Sequence, residues 1–213
     1  MKHTHTLDIG EGCAIHVYKS TAPLLEAAEA AAIEAIEQCE QRPVIKMFGK
    51  EVRSPRDYVL LAPSGEEGEG YKFSGGGAKQ VPMRDTGAKF FDDFLEAAKA
   101  QNAGFRSNRV LVNHYPYADS SIGWHADDEN DLLVDESGVW GMTIYTDKAG
   151  EDRRMLFKSN TTKRRSEIRL KHGQIFVMHG KNFQKKFKHS IPKVGKNKVP
   201  RPRVSFTFRM HAR

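Results

Sequence analysis

Residues 203–209 read Arg203-Val204-Ser205-Phe206-Thr207-Phe208-Arg209, a strict alternation of polar and apolar side chains. A period of two predicts a β-strand with Arg203, Ser205, Thr207 and Arg209 on one face. Such alternation ordinarily belongs to an edge strand whose polar face is wet. Two arginines that flank two hydroxyls also form a receptor for a small dicarboxylate, because guanidinium groups bind carboxylates through paired hydrogen bonds. This strand alone leaves both interpretations open.

The chain upstream of this strand predicts the fold class. From Gly104 onwards, short β-like runs alternate with turn residues, at 109–115, 122–127, 140–146, 154–158, 166–170 and 174–178. Many short strands without helices between them predict a β-sandwich or jelly roll. Apolar residues at helical spacing predict two earlier helices, one from Thr21 to near Gln41 and one after Thr86. The fold class is therefore α+β, mainly β, with helices packed outside a C-terminal β-core.

Three side chains of this β-core predict a metal site. His125 and Asp127 lie two apart in an extended segment, so they share a face, and His189 follows later in the same core. Two histidines and one carboxylate are the ligand set of non-haem iron(II) oxygenases, which leaves positions open for other ligands. His179 is the rival to His189. Asn113 and Tyr115, again two apart in a strand, are candidates to complete the dicarboxylate pocket.

The order and spacing of these motifs resemble the AlkB family of Fe(II)/2-oxoglutarate dioxygenases. The motifs are Asn113-x-Tyr115, Trp124-His125-x-Asp127, His189 and the strand 203–209. Residues 47–50 and 71–75 resemble the nucleotide-recognition segments of the AlkB homologue 2 branch, which repairs DNA, and the resemblance covers about residues 44–209. It implies a double-stranded β-helix (jelly-roll) catalytic core at 104–213. It also implies that residues 1–103 form N-terminal helices and a nucleotide-recognition lid, within one integrated domain.

The resemblance also assigns the cofactors and their residues. It implies Fe(II) held by His125, Asp127 and His189, with 2-oxoglutarate and O2 as the other reactants. His189 is preferred to His179 because its distance from Arg203 suits the family. Arg203 would pair with the distal carboxylate of 2-oxoglutarate, and the residues that hold the rest of it are Asn113, Tyr115, Ser205, Thr207 and the catalytic Arg209. Ser205 departs from the asparagine that the family usually has.

The function that the resemblance implies is oxidative demethylation of alkylated bases, such as 1-methyladenine and 3-methylcytosine, in DNA and possibly RNA. Phe48, beside Gly49 and Lys50, would be the wedge that fills the gap left by a flipped base; otherwise it is a core residue. The expected wall against the flipped base is the run Tyr71, Lys72 and Phe73. Asp128 and Glu129 would accept a hydrogen bond from the base or favour a cationic one, although an acidic turn is more often merely solvated.

Composition bears on partners and compartment. The net charge is +7, and no acid occurs from Lys171 to the C-terminus. The lysine-rich stretches 153–171 and 181–201, expected to be loops, are therefore candidates for phosphate contacts. Two cysteines, no membrane-length apolar run and no signal-like N-terminus predict an intracellular protein, cytoplasmic or nuclear, with no membrane partner, and we expect a monomer.

Three alternative functions stay open on the sequence. The first is a 2-oxoglutarate-dependent hydroxylase acting on a protein or a small molecule. The second is a nucleic-acid-binding module without catalysis, which the intact ligand set and both arginines disfavour. The third is a zinc hydrolase, which leaves the arginine-lined strand unexplained.

Overall fold

The protein is described by a computed structural model that covers residues 1–47, 49–66, 70–73, 76–129, 132 and 138–211, without the side chains of residues 71 and 73. The helices are α1 (Ala22–Gln38), α2 (Asp85–Lys99) and α3 (Phe183–Lys186). The strands up to the second helix are β1 (Lys2–Gly10), β2 (Cys13–Lys19), β3 (Val44–Met47), β4 (Lys50–Arg53), β5 (Asp57–Ala62), β6 (Tyr71–Phe73), β7 (Gly76–Ala78) and β8 (Gln80–Pro82). The later strands are β9 (Arg109–Tyr115), β10 (Ile122–His125), β11 (Val139–Tyr145), β12 (Arg154–Ser159), β13 (Arg165–Arg169), β14 (Gln174–His179), β15 (Phe187–Ile191) and β16 (Arg203–Arg209).

Two sheets carry the architecture. The larger has eight strands in the order β1-β2-β14-β11-β16-β9-β5-β8, and the smaller has four in the order β10-β15-β12-β13. The hairpins β3–β4 and β6–β7 form separate two-stranded sheets. One hydrophobic cluster contains residues from both large sheets, among them Tyr115, Phe157 and Phe176. This arrangement confirms the predicted jelly roll.

The helices cover the outer face of the larger sheet. Phe90 and Phe94 of α2 contact β16, and the rings of Phe94 and Phe208 stack with centroids 3.6 Å apart. Glu34 of α1 joins the two helices, because its carboxylate accepts hydrogen bonds from the Gly87 amide at 2.7 Å and the Thr86 hydroxyl at 3.2 Å. The Glu34 carboxylate lies at the N-terminal end of α2, where it accepts a hydrogen bond from an amide that has no partner within that helix.

Strand β16 lies inside the larger sheet, between β11 and β9, and every residue in it is buried. Its apolar face, Val204, Phe206 and Phe208, belongs to the core that also contains the helix residues. Its polar face therefore points toward the space between the sheets. The interpretation of this strand as a wet edge is wrong.

The predicted elements agree with the structure in most cases. The strand predicted at 109–115 has the observed bounds, and the others differ by one or two residues at an end. Helix α1 ends at Gln38, before the predicted Gln41, because Glu40 forms a bridge with Tyr58 and the residue before Pro43 disfavours helix. The basic segments are not simply loops, since 153–171 contains β12 and β13 and 181–201 contains α3 and β15.

Strands from both halves of the chain build the larger sheet, since β1, β2, β5 and β8 pair into it beside strands that follow residue 104. The division into a lid part, 1–103, and a catalytic part, 104–213, stays a prediction. Among the helices described, none combines the length and the apolar character needed to cross a membrane.

Candidate active site

The space between the sheets contains a cluster of three potential metal ligands. One ligand atom from each of His125, Asp127 and His189 lies within 4.8 Å of the other two. The Nε2 atoms of the two histidines each lie 3.8 Å from a different oxygen of the Asp127 carboxylate. Asp127 and His189 are buried, while the His125 side chain keeps 28% of its surface exposed. The cluster is thus closed on the protein side and open beside His125.

Strand pairing brings the two histidines together. His125 on β10 is directly opposite His189 on the antiparallel strand β15, and their ring centroids are 4.1 Å apart. Asp127 follows β10 after one residue. His179, the rival in the sequence, lies on β14 of the other sheet with an exposed ring 5.0 Å from that of His16. The structure therefore brings His189, and not His179, to His125 and Asp127.

The electrostatics of the cluster suit a cation. Burial, and next the neighbouring His189, lowers the pKa of His125, while burial and the Arg209 guanidinium lower the pKa of His189 to about 3. Both rings are therefore neutral at physiological pH, the form that binds metal. Asp127 accepts a hydrogen bond from Arg209 on Oδ1 at 2.7 Å, and its buried Oδ2 has no hydrogen-bond partner among the described residues. A buried carboxylate oxygen that faces two neutral imidazoles fits a divalent metal such as Fe(II).

Two further contacts hold these ligands in place. His125 Nδ1 lies 2.9 Å from the Gly123 carbonyl oxygen, so this nitrogen donates and Nε2 is left to face Asp127. The Asp127 amide donates to Oε1 of Gln184 at 2.9 Å, and Gln184 is a buried residue of α3. Sequence reasoning did not find Gln184, since no pattern distinguishes it in a lysine-rich segment.

The polar face of β16 continues from the metal cluster. Arg209 lies at the cluster, and Arg203 lies at the far end of the strand, 2% exposed. Arg203 Nη2 donates to Thr143 Oγ1 at 3.1 Å and to Ser205 Oγ at 3.2 Å, and its Nε has no hydrogen-bond partner in the described part of the chain. A guanidinium that meets hydroxyls and no carboxylate fits an anionic ligand.

The neighbouring strand β9 completes this lining. Tyr115 is paired with Arg203 and Asn113 with Ser205, while Thr207 lies between the two ends of the polar face. Arg56, which the sequence did not single out, donates from Nε to Asn113 Oδ1 at 2.6 Å. His114, between them in the strand, points away from this face and pairs with Asp57 at 3.0 Å. The residues predicted for the cosubstrate are therefore buried and lie on two neighbouring strands.

The structure describes the predicted base-recognition residues only in part. Phe48 lies outside the described residues, as do the side chains of Tyr71 and Phe73. Gly49, with φ +77°, precedes Lys50 at the start of β4. Lys72 lies on the β6–β7 hairpin with an exposed side chain, and β7 contacts β3 and β5.

The acidic pair lies next to the metal cluster. Asp128 and Glu129 directly follow Asp127, with Asp128 exposed and Glu129 half-buried.

One further histidine lies inside the fold near the end of the described chain. His211 is 1% exposed. Its backbone exchanges hydrogen bonds of 2.8 and 3.0 Å with the Asn108 side chain, and these contacts hold it inside the fold.

Known proteins resemble this chain over most of its length. A family model described as the 2OG-Fe(II) oxygenase superfamily matches residues 15–209. A DNA oxidative demethylase ALKBH2 of Arabidopsis thaliana is 28% identical over 193 residues, covering 79% of this chain and 57% of the relative. The protein of the same name from Bos taurus is 30% identical over 174 residues, covering 78% and 56%. The chain thus spans little more than half the length of these relatives.

Solved structures share the fold. A structure of OsALKBH1 is 15% identical with a TM-score of 0.56, covering 97% of this chain and 100% of that one. A prolyl-4-hydroxylase from Pseudomonas putida is 11% identical with a TM-score of 0.52, covering 93% and 92%. Members of the matched superfamily use Fe(II), 2-oxoglutarate and O2, the cofactors that the family resemblance implied. The chain belongs to the 2OG-Fe(II) oxygenase superfamily.

Proposed function

We propose that this protein is an Fe(II)- and 2-oxoglutarate-dependent demethylase of alkylated bases in DNA, with 1-methyladenine and 3-methylcytosine as expected substrates. The observation that carries the proposal is the buried polar face of β16, with Arg209 at the His125–Asp127–His189 cluster at one end and Arg203 at the other. The relatives named DNA oxidative demethylase support the substrate class.

In this proposal His125, Asp127 and His189 ligate the iron. Arg209 balances the charge of Asp127 at 2.7 Å and faces the carboxylate of 2-oxoglutarate nearest the metal. The distal carboxylate pairs with Arg203, while Thr143 and Ser205 hold that guanidinium in place. The side chains expected along the rest of the cosubstrate are Asn113, Tyr115 and Thr207. Serine at 205 is shorter than the asparagine usual in the family but still accepts a hydrogen bond.

The cofactors supply the oxidant that hydroxylates a methyl C–H bond, while 2-oxoglutarate leaves as succinate and carbon dioxide. A hydroxymethyl group on a ring nitrogen then releases formaldehyde and leaves the unmodified base. The protein would orient the reactants and exclude water on the buried side of the metal cluster, where Asp127 and His189 lie. Asp128 and Glu129, beside the open side of the cluster, favour a cationic methylated base over its neutral parent.

A methylated base must leave the duplex to reach the metal cluster, and we assign this step to residues of the β3–β4 and β6–β7 hairpins. Phe48, with Gly49 and Lys50, is the proposed wedge. The proposed wall against the flipped base consists of Tyr71, Lys72 and Phe73.

Phosphate contacts are proposed on the outer face of the smaller sheet. Lys158 is paired across the strands with Arg165 on one side and Lys188 on the other. Lys158 Nζ lies 4.9 Å and Arg165 Cζ 5.7 Å from the ring centroid of Trp124. Cations directly opposite one another repel, and a phosphate backbone laid across the row would relieve that repulsion.

The test is a lesion assay on the full chain. Oligonucleotides that carry single methylated bases are incubated with protein, Fe(II), 2-oxoglutarate and air, and the bases are quantified by mass spectrometry. We expect conversion to the unmodified base with one formaldehyde and one succinate per event, and none with Asp127→Ala. Succinate formation without loss of any base methyl group would refute the nucleic-acid substrate and turn attention to the hydroxylase alternative.

A further inference from the structure

Arg153, just before β12, is a buried arginine that the proposed chemistry does not use. It is 2% exposed, and its guanidinium donates to three backbone carbonyl groups. Nη1 reaches Ser120 at 3.0 Å, and Nη2 reaches Tyr115 at 3.3 Å and also Tyr117. Its own amide donates to the Tyr145 hydroxyl at 2.7 Å. One side chain thus ties the end of β9 to the loop that leads toward the metal cluster.

Arg153 also brings a second positive charge close to Arg203. The Cζ atoms of both arginines lie 5.7 Å from the ring centroid of Tyr115, so they are at most about 11 Å apart. Burial, and next the charge of Arg203, lowers the pKa of Arg153.

Within the described residues, neither arginine has a carboxylate within salt-bridge distance. The acids nearest in the chain have partners of their own, Asp119 with Arg42 at 2.6 Å and Asp152 with Arg201 at 2.7 Å. Two buried cations without an acid are unfavourable unless an anion joins them.

We propose that Arg153 is a positioning residue of the 2-oxoglutarate pocket that gives the pocket its preference for a dicarboxylate. It holds the backbone of Tyr115, which faces Arg203, and it adds positive charge behind the distal carboxylate without touching it. This inference rests on the cosubstrate site of the proposed function.

A purely structural role predicts a different result. If Arg153 only ties the 115–120 segment, its loss weakens every 2-oxo acid to the same extent. If its charge acts on the distal carboxylate, its loss weakens 2-oxoglutarate and spares 2-oxopentanoate, which has the same carbon chain without that carboxylate. The ratio of the two affinities therefore separates the roles.

The experiment titrates each acid into the full chain loaded with Mn(II), using calorimetry without oxygen or nucleic acid. Arg153→Gln should lose about tenfold in affinity for 2-oxoglutarate. This is the effect of a unit charge at about 11 Å, the upper bound on the separation of the two guanidinium groups, taken here for a carboxylate paired with Arg203 at an effective dielectric constant near 20. The affinity of this variant for 2-oxopentanoate should stay within about twofold. The matched control is Arg154→Gln, an adjacent exposed arginine bound to Glu167, which should leave both affinities unchanged.

If Arg153→Gln does not fold, Arg153→Met takes its place, because it keeps an unbranched side chain without the charge and the same change of ratio is expected. Arg153→Lys, which keeps the charge, should keep the wild-type ratio even if both affinities fall. An unchanged ratio in the folded neutral variant would overturn the proposal. Wild-type protein that binds neither acid would instead refute the proposed cosubstrate site, so the two failures are distinguishable.

Discussion

Gln184→Leu tests how the metal ligands are held. Gln184 Oε1 accepts the Asp127 amide at 2.9 Å, and both residues are at most 5% exposed. Leucine is similar in bulk but accepts no hydrogen bond, so a buried amide loses its partner at a cost of about 1–3 kcal/mol. Losing such a contact behind a metal ligand typically weakens metal binding by about 10–100-fold. We expect a loss of that size in Gln184→Leu.

The assay is calorimetric titration of Mn(II) into metal-free protein, with thermal denaturation of the same samples alongside. Lys185→Leu is the matched control, because Lys185 is the next residue of α3 and its side chain is exposed. It should bind Mn(II) as the wild type does. A folded Gln184→Leu protein with the wild-type dissociation constant would refute the reasoning, since it would mean that Asp127 keeps its orientation without this contact.

Four other predictions concern the site and the core. Alanine at any one of the three proposed ligands should abolish stable Mn(II) binding in the same titration, whereas His179→Ala should bind normally; the reverse ranking would move the third ligand to His179. Arg203→Ala should weaken 2-oxoglutarate by about 3–5 kcal/mol, because a buried carboxylate loses its partner, and an unchanged dissociation constant by calorimetry would remove Arg203 from the pocket. Phe48→Ala should lower demethylation of duplex far more than of single-stranded oligonucleotides, since only the duplex requires unstacking; equal losses with a lowered melting temperature would make Phe48 a core residue. Burial raises the pKa of Cys39 to about 12, so at pH 8 its thiol stays neutral and should resist iodoacetamide until denaturant is added. Rapid labelling of folded protein, measured by mass spectrometry, would contradict that burial.

The sequence predicted those strands and helices in which the side chains on one face differ in character from the side chains on the other face. Strand β9 and strand β16 are examples, as is α2 with its row of phenylalanines. Strand β1 could not be found in this way, because most of its residues are exposed and polar and its order depends on pairing with β2.

The candidate site likewise contains residues that the sequence could relate to one another and residues that only the fold brings together. His125 and Asp127 are two apart in the chain, and the residues of β16 share a face, so spacing alone relates them. Gln184 and Arg56 act on partners 57 residues away in the chain, and nothing in their neighbourhood marks them. Arg153 is adjacent to the exposed Arg154, and the sequence gives no means of telling the buried arginine from the solvated one.

The position of β10 has a consequence for the resistance of the protein to proteases. It is an edge strand, and its ladder with β15 has two registered positions, Ile122 with Ile191 and His125 with His189, separated by an irregularity. A metal ion bound to His125 and His189 would cross-link these two strands. Loss of the metal would then favour local unfolding of β10, and unfolding of β10 would favour loss of the metal. We therefore expect metal-free protein to be cleaved by proteases around β10 long before the rest of the chain unfolds. Scarcity of iron would then shorten the lifetime of the protein as well as prevent its proposed activity.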